Sequence, residues 1–189
     1  FLALVGQIVL TRALITEDYG IFIIALDIFA TTFLIIDLGL PTILARDGAK
    51  SVDHIWPAIW RIYRIQFYCM MPFIAIAIIG ISITVNDWSQ YLPVVIICMT
   101  IALAHIFSYA PRSGLRAAGY ASLEAWSKVS ERLVTMSGYL MLYYFGVNSV
   151  ASYALAFLIG ALVGLTISIL LAKLSLQSSV KVRDWSSMG

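Results

Sequence analysis

Long apolar runs constrain this chain more than any other feature of its sequence. Five runs are long enough to cross a bilayer, at positions 21–44, 66–85, 91–110, 126–146 and 150–172, and a sixth, at 1–15, is shorter. About 20 apolar residues cross the hydrocarbon core as a helix, because lipid offers the backbone no hydrogen-bond partners. The runs therefore predict an all-α integral membrane protein, built as a six-helix transmembrane bundle.

The composition excludes an ordinary soluble enzyme. Apolar residues make up 61% of the 189 residues and charged residues 12%, whereas soluble domains are about half apolar and about a quarter charged. The net charge of +2 gives no reason to expect a nucleic-acid partner. Cys69 and Cys98 both lie inside apolar runs, which favours two buried thiols over a disulfide framework.

Basic residues predict the orientation of the chain in the cell membrane. Eleven lie in loops on one side of the predicted helices, and only Arg12 lies on the other side. Because cytoplasmic loops carry the excess of Lys and Arg, both termini are predicted to be cytoplasmic. The eleven are Arg46, Lys50, Arg61, Arg64, Arg112, Arg116, Lys128, Arg132, Lys173, Lys181 and Arg183.

The connections between the apolar runs predict where the helices end. Two longer cytoplasmic loops are expected at 45–64 and 112–132, and a turn at 16–20. Pro111 is expected to end the fourth helix, and Pro72 to lie inside the third and kink it. The fifth helix is expected to begin in the cytosol, with Lys128, Glu131 and Arg132 at the membrane interface, where long side chains can reach water.

Two short motifs near the start of the chain carry a family resemblance. The first is Arg12-Ala-Leu-Ile-Thr-Glu17-Asp18-Tyr19-Gly20, and the second is Asp37-Leu-Gly-Leu-Pro41 at the end of the next apolar run. A later stretch, Gly114-Leu-Arg-Ala-Ala-Gly-Tyr120, follows the fourth run. Together they resemble the polysaccharide transporters, the O-antigen and teichoic-acid flippases of the multidrug/oligosaccharidyl-lipid/polysaccharide exporter superfamily.

This resemblance implies a multi-pass transporter that moves lipid-linked oligosaccharide across the membrane for surface polysaccharide biosynthesis. Such proteins have two six-helix lobes around a central cavity. Residues 1–172 would form an N-terminal lobe like that of a MATE-like flippase, with the first helix truncated, and residues 173–189 a cytoplasmic tail or a linker to a missing second lobe. The implied partners are a polyprenyl-linked glycan, membrane lipids and that second lobe.

Ionisable residues inside the apolar runs are the candidates for mechanism, because a charge at mid-membrane is costly unless it serves a site. Asp27 and Asp37 lie in the second run, where both can face one cavity. Each is interpreted either as a proton or Na⁺ site that also accepts hydrogen bonds from sugars, or as a structural carboxylate. The structural role is favoured for Asp37. His105, in the fourth run, can titrate near neutral pH, although a neutral histidine bonded between helices is more common.

Arg112 and Arg116 lie one helical turn apart at the predicted cytoplasmic mouth. They are candidates for contact with an anionic head group, or with anionic lipid in general. The family's cavity is typically basic, whereas in this chain no Lys or Arg is expected deep inside a helix. Gly160-Ala-Leu-Val-Gly164 predicts a close-packing helix face. The sequence shows no metal-ligand spacing, and no cofactor is expected beyond a coupled H⁺ or Na⁺.

Two other functions remain open at this point. A cation-coupled multidrug exporter of the same superfamily would also suit Asp27. A membrane-embedded glycosyltransferase or phosphatase acting on polyprenyl phosphates would need clustered acids in a loop. The inner loops offer only Asp47, Asp53, His54, Glu124 and Glu131, without a convincing constellation. We therefore expect a transporter and not an enzyme.

The orientation can be tested by labelling with a membrane-impermeant thiol reagent. Asn86→Cys and Asn148→Cys are expected to react from outside intact cells, because both positions fall in the loops with few basic residues. Ser51→Cys, in a loop rich in basic residues, is expected to react only after the cells are opened. The reverse pattern would contradict the predicted orientation.

Overall fold

The computed structural model describes the backbone of residues 2–50, 52–88 and 91–186 and, within those ranges, all side chains except those of residues 2–3, 77–78, 80–88 and 177–186. The described backbone is helical and contains no strand. Two short 3₁₀ turns, Gly48–Lys50 and Val52–His54, connect the third and fourth α-helices. The α-helices are α1 (Leu2–Ala13), α2 (Thr16–Ile36), α3 (Leu40–Asp47), α4 (Ile55–Trp88), α5 (Leu92–Ala117), α6 (Ala121–Tyr144) and α7 (Val150–Ser186).

Three stretches of these helices are long and apolar enough to cross a membrane. They are Thr16–Ile36, Leu92–Ala117 and Val150–Leu176, and α1 holds a shorter apolar stretch, Leu4–Ala13. The all-helical class is therefore confirmed for the described residues, with three candidate membrane spans, whereas the count of six spans and the orientation stay predictions. Ser51 and the side chain of Asn86, two of the labelling positions, lie outside the described residues.

The second apolar run, predicted as one helix over 21–44, is broken in two. Helix α2 already begins at Thr16, where Glu17 and Asp18 favour its N-terminus, so the turn predicted at 16–20 is wrong. It ends at Ile36, and Gly39 has a φ of 67°. Pro41 has no N–H to donate to the Asp37 carbonyl, which accepts instead from the Leu40 N–H at 3.0 Å. Asp37 therefore caps a helix end and does not lie inside a span.

Helix α4 begins eleven residues before the predicted start at Gln66, so most of the predicted loop at 45–64 is helical. The reason is a stripe of buried residues spaced three and four apart, which packs against neighbouring helices. Among its described side chains, the charged Arg61 and Arg64 lie on the exposed face. Pro72 lies inside this helix, as predicted. The stripe consists of Ile55, Ile59, Ile62, Gln66 and Met70.

Helix α5 continues through Pro111, which the sequence analysis took as its end. A proline inside a helix leaves the carbonyl four residues earlier without its usual donor. That carbonyl belongs to Phe107, and it accepts a hydrogen bond from the Tyr63 hydroxyl of α4 at 2.8 Å. The partner supplied by α4 allows α5 to run on to Ala117. Arg112 consequently lies within the last two turns of a helix and is buried against its neighbours.

The remaining helix ends also differ from prediction. The loop expected at 112–132 shrinks to a turn around Gly119, whose φ is 84°, because α6 begins at Ala121 instead of Trp126. Helix α6 ends at Tyr144, close to the predicted end at Gly146, whose φ is 66°. Helix α7 passes the predicted end at Ala172 and continues to Ser186. Residues 187–189 lie outside the described part of the chain.

Small residues bring α6 and α7 close together. A β-carbon added at Gly138 would lie 3.0 Å from the Ala156 side chain, and one at Gly164 would lie 2.6 Å from Glu131 Oε2. One at Gly160 would meet the Thr135 hydroxyl and lie 3.0 Å from the Glu131 carbonyl oxygen. Residues 156, 160 and 164 fall on one helix face. The close-packing role predicted for Gly160 and Gly164 is therefore explained by their contact with the polar residues of α6.

Replacing Gly160 is expected to separate α6 from α7. The methyl group of Gly160→Ala would meet a backbone carbonyl as well as Thr135, and overpacking of this kind costs about 1–3 kcal/mol. Gly20→Ala is the matched control, because no heavy atom lies within 4 Å of a β-carbon at this helical position. Thermal unfolding in detergent is the measurement. Equal stability of the two variants would contradict this account of the helix contact.

Candidate functional site

A cavity of about 880 Å³ opens between α1, α2, α5 and α6, with Phe157 of α7 at its wall. Apolar side chains form most of the lining, as in ligand sites generally. Helices placed side by side supply the polar groups, so the cavity depends on the packing of the bundle and not on a loop. The polar lining residues are Gln7, Asp27, Thr31, His105, Tyr109, Arg132, Thr135 and Tyr139.

Two of the five residues singled out in the sequence line this cavity. Asp27 is presented from α2 and His105 from α5. Thr31 follows Asp27 by one helical turn and lines the same wall. The cavity therefore offers a carboxylate, an imidazole and a hydroxyl to a polar ligand.

Asp37 does not line the cavity. It is buried, and its Oδ1 accepts a hydrogen bond from Gln66 Nε2 of α4 at 2.6 Å. The other amide atom, Gln66 Oε1, is buried without a hydrogen-bond partner in the described part of the structure. This hydrogen bond ties the segment between α2 and α3 to helix α4. This is the geometry expected of the structural carboxylate that was favoured for Asp37.

His105 belongs to a buried ionic network between α5 and α6. Its Nε2 lies 3.1 Å from Glu131 Oε1, and Arg112 Nη2 lies 2.6 Å from Glu131 Oε2. Arg112 Nε also donates to Ser127 Oγ at 2.9 Å. The Glu131 carboxylate thus accepts from two groups that are seven residues apart on α5. The network ties a cavity-lining side chain to a buried guanidinium.

Arg116 is held at the end of α5 by a second carboxylate. Glu124 of α6 binds the guanidinium through both of its oxygens and also accepts from Lys128 Nζ at 2.9 Å. The hydrogen bond from Arg116 lowers the pKa of Glu124 to about 2. Arg112 and Arg116, the candidates for head-group contact, are therefore both bound to carboxylates in this structure.

Arg132 is a cavity residue that the sequence analysis placed at the membrane interface. Its guanidinium carbon lies 5.9 Å from the centroid of the Phe157 ring, which also packs 5.6 Å from the His105 ring. A cation over an aromatic face is stabilised by the ring's electron density. Arg132 forms no ion pair with any carboxylate that the structure describes. The cavity therefore contains a cation whose charge is available to an anionic ligand.

Glu131 is a further residue whose contacts sequence reasoning missed: it was expected at the membrane interface, and its carboxylate is buried between α5 and α6. The pattern that reveals it is a polar stripe on α6 at spacings of three and four, while apolar Trp126, Leu133 and Met141 face outward. Such an inside-out pattern is typical of a helix with lipid on its outer face and a polar partner within. The buried members of the stripe are Glu124, Ser127, Glu131, Thr135 and Tyr139.

Comparison with known proteins identifies a matching family. The family model for "polysaccharide biosynthesis protein" matches residues 1–189. Neither a curated protein nor a solved structure matches the chain. In the described part of the chain, no group of three or more His, Cys, Asp or Glu side chains is placed to hold a metal ion.

The buried pair of Arg112 and Glu131 is expected to be much more sensitive to substitution than the outer pair of Arg116 and Glu124. Arg112→Met leaves the Glu131 charge buried with only His105 as a partner, and breaking a buried pair costs about 3–5 kcal/mol. Arg116→Met removes a half-exposed guanidinium and leaves Glu124 paired with Lys128, so no uncompensated charge is created and a smaller loss of stability is expected. Thermal unfolding in detergent measures both.

The double variant Arg112→Met/Glu131→Leu tests whether the loss of stability in Arg112→Met comes from the buried Glu131 charge that remains. Because it removes both charges together, it is expected to recover most of the stability lost in Arg112→Met. A double variant no more stable than Arg112→Met would contradict this explanation.

Proposed function

Because the chain belongs to the polysaccharide biosynthesis protein family, we propose that it forms part of a flippase. The flippase moves a lipid-linked oligosaccharide across the cell membrane for surface polysaccharide biosynthesis. The observation that supports this most directly is the cavity among membrane-type helices, which holds Arg132, a cation with no carboxylate partner among the described side chains, together with hydrogen-bonding side chains. A glycan joined to a lipid by phosphate groups offers the complementary chemistry.

Each polar side chain of the cavity has a role in this proposal. Arg132 binds the phosphate oxygens, since guanidinium groups match phosphate geometry well. Asp27 and Thr31 hydrogen-bond the hydroxyls of the first sugars, as does Gln7 of α1. The Phe157 ring keeps Arg132 directed into the cavity. No covalent step is required, because transport changes only the side of the membrane on which the substrate lies.

Coupling to H⁺ or Na⁺ is proposed to act through Asp27 and His105. Both line the cavity, and His105 is bonded to Glu131, which also binds the buried Arg112. Protonation of His105 would change the charge balance around Glu131 and hence the contact between α5 and α6. Binding of an ion at the cavity wall would in this way alter how α5 and α6 pack against each other.

A second lobe is proposed to complete the transport path. In transporters built from repeats, one bundle moves against another around a site at their interface. The cavity described above is bounded by helices of one bundle, and its polar groups need protein on the remaining side to stay away from lipid. We expect the 189 residues alone to be inactive in liposomes and to become active with a second six-helix lobe.

The alternative functions differ in what they require of the acidic residues. A polyprenyl-phosphate glycosyltransferase or phosphatase needs clustered, available acids in a loop as base or nucleophile. Asp47, Glu124 and Glu131 are instead bound to Arg, Lys or His partners. A cation-coupled multidrug exporter of the same superfamily would use Asp27 as well, but it has no need of a phosphate-binding Arg132.

The proposal is tested by translocation of a lipid-linked oligosaccharide into liposomes that contain the full-length transporter. Asp27→Asn and Arg132→Gln are each expected to lower the initial rate about tenfold or more, since a charge-assisted hydrogen bond contributes about 1.5–3 kcal/mol. Lys50→Gln, an exposed charge remote from the cavity, is the matched control and should leave the rate unchanged.

Protein recovery distinguishes loss of function from loss of folding. Both cavity variants are expected to be recovered from the membrane at the level of the unsubstituted protein, because Asp27 and Arg132 are exposed to the cavity. Activity that falls only in proportion to recovered protein would support a structural role. Transport of cationic drugs, with none of lipid-linked glycan, would favour the exporter.

A further inference from the structure

A second groove lies on the outer surface of α4, away from the cavity. It has a volume of about 380 Å³ and contains one charged residue, Arg64. The rest of its lining is aromatic, and Trp60, Phe67 and Tyr68 are each at least half exposed. The lining residues are Trp60, Tyr63, Arg64, Phe67, Tyr68 and Phe107.

Contacts between the aromatic rings hold the side chains of the groove in defined positions. Tyr63 packs edge-on against Trp60 on one side and Phe107 on the other, with centroid distances of 5.8 Å and 5.4 Å. The Tyr63 hydroxyl donates its hydrogen bond to the Phe107 carbonyl, so Tyr63 presents only its ring to the groove. The floor is therefore apolar, and it is held in place by a hydrogen bond between α4 and α5.

Arg64 is free to bind a ligand at the edge of this surface. Its side chain is exposed, and within the described ranges it forms no ion pair or hydrogen bond. By contrast, Arg46, Arg112 and Arg116 are all bound to carboxylates. The arginines that the sequence marked for contact with anionic lipid are thus occupied, whereas Arg64 is not.

The position of the groove fits the boundary of a bilayer. Arg64 stands just before the apolar run at 66–85, and the exposed rings lie on both sides of it along the helix. Trp, Tyr and basic side chains are enriched at the level of lipid head groups, where rings meet acyl chains and a guanidinium can meet phosphate. The charge and shape of the groove are therefore complementary to an anionic lipid.

We propose that the α4 groove binds one anionic phospholipid from the surrounding bilayer. The phosphate group pairs with Arg64, and the upper part of an acyl chain lies on Trp60, Phe67 and Tyr68. This site is separate from the cavity, and its existence does not depend on what the cavity transports.

The test measures thermal unfolding of the full-length protein in nanodiscs of phosphatidylcholine with increasing phosphatidylglycerol. Phosphatidylglycerol is expected to raise the unfolding temperature, because a ligand that binds only the folded state stabilises it. Arg64→Gln should weaken the apparent affinity for phosphatidylglycerol about fivefold, the effect of one basic residue near anionic lipid. Arg61→Gln, an exposed cation on the same helix outside the groove, is the matched control.

A ring variant tests the other half of the site. Trp60→Ala should also weaken the effect of phosphatidylglycerol, whereas Trp126→Ala, an equally exposed tryptophan on α6, should not. Unfolding in pure phosphatidylcholine shows whether any variant is destabilised by itself. Equal losses in Arg64→Gln and Arg61→Gln would overturn the proposal in favour of diffuse charge attraction. Displacement of phosphatidylglycerol by polyprenyl phosphate at lower concentration would overturn it in favour of the lipid carrier as occupant.

Discussion

The carboxylate of Glu131 is the interaction on which the inner part of the bundle depends. It lies buried between α5 and α6 and accepts from Arg112 and His105 together. The buried charges of Arg112 and Glu131 stabilise each other, because either one alone would lose its hydration on burial without compensation. The glycine at position 164 of α7 lets these side chains fit, because any β-carbon there would lie within 3.0 Å of both Glu131 and Arg112. Three helices thus meet at one ion pair.

This arrangement also explains why α6 carries its polar residues inward. A helix in water hides its apolar stripe, but a helix with lipid on one side can expose that stripe and bury polar groups against its neighbours. Glu131, Thr135 and Tyr139 follow one another along the inner face, the latter two at the cavity wall. The charges that stabilise the bundle and the groups that can hold a ligand are therefore parts of one continuous stripe.

The sequence predicts the fold class and the positions of the most apolar helices, because hydropathy depends only on which residues are near one another in the chain. It also singled out Asp27 and His105, since an ionisable residue within an apolar run stands out. Pro111 shows the limit of such reasoning: whether it ends a helix depends on Tyr63, 48 positions earlier in the printed sequence. The expected interface position of Glu131 and Arg132 did not reveal their partners, Arg112 and Phe157, because charge counts do not show which side chains lie close together in the fold.

The hydrogen bond from Tyr63 to the Phe107 carbonyl has a consequence for the order in which the helices are synthesised and inserted into the membrane. Helices of a membrane protein emerge from the ribosome in chain order, so α4 is synthesised before α5. When Pro111 leaves one carbonyl of α5 open in the membrane, the hydroxyl that closes it is already present on the preceding helix. The donor precedes the acceptor along the chain, and α5 can therefore complete its backbone hydrogen bonding as it enters the bilayer, without waiting for any later segment.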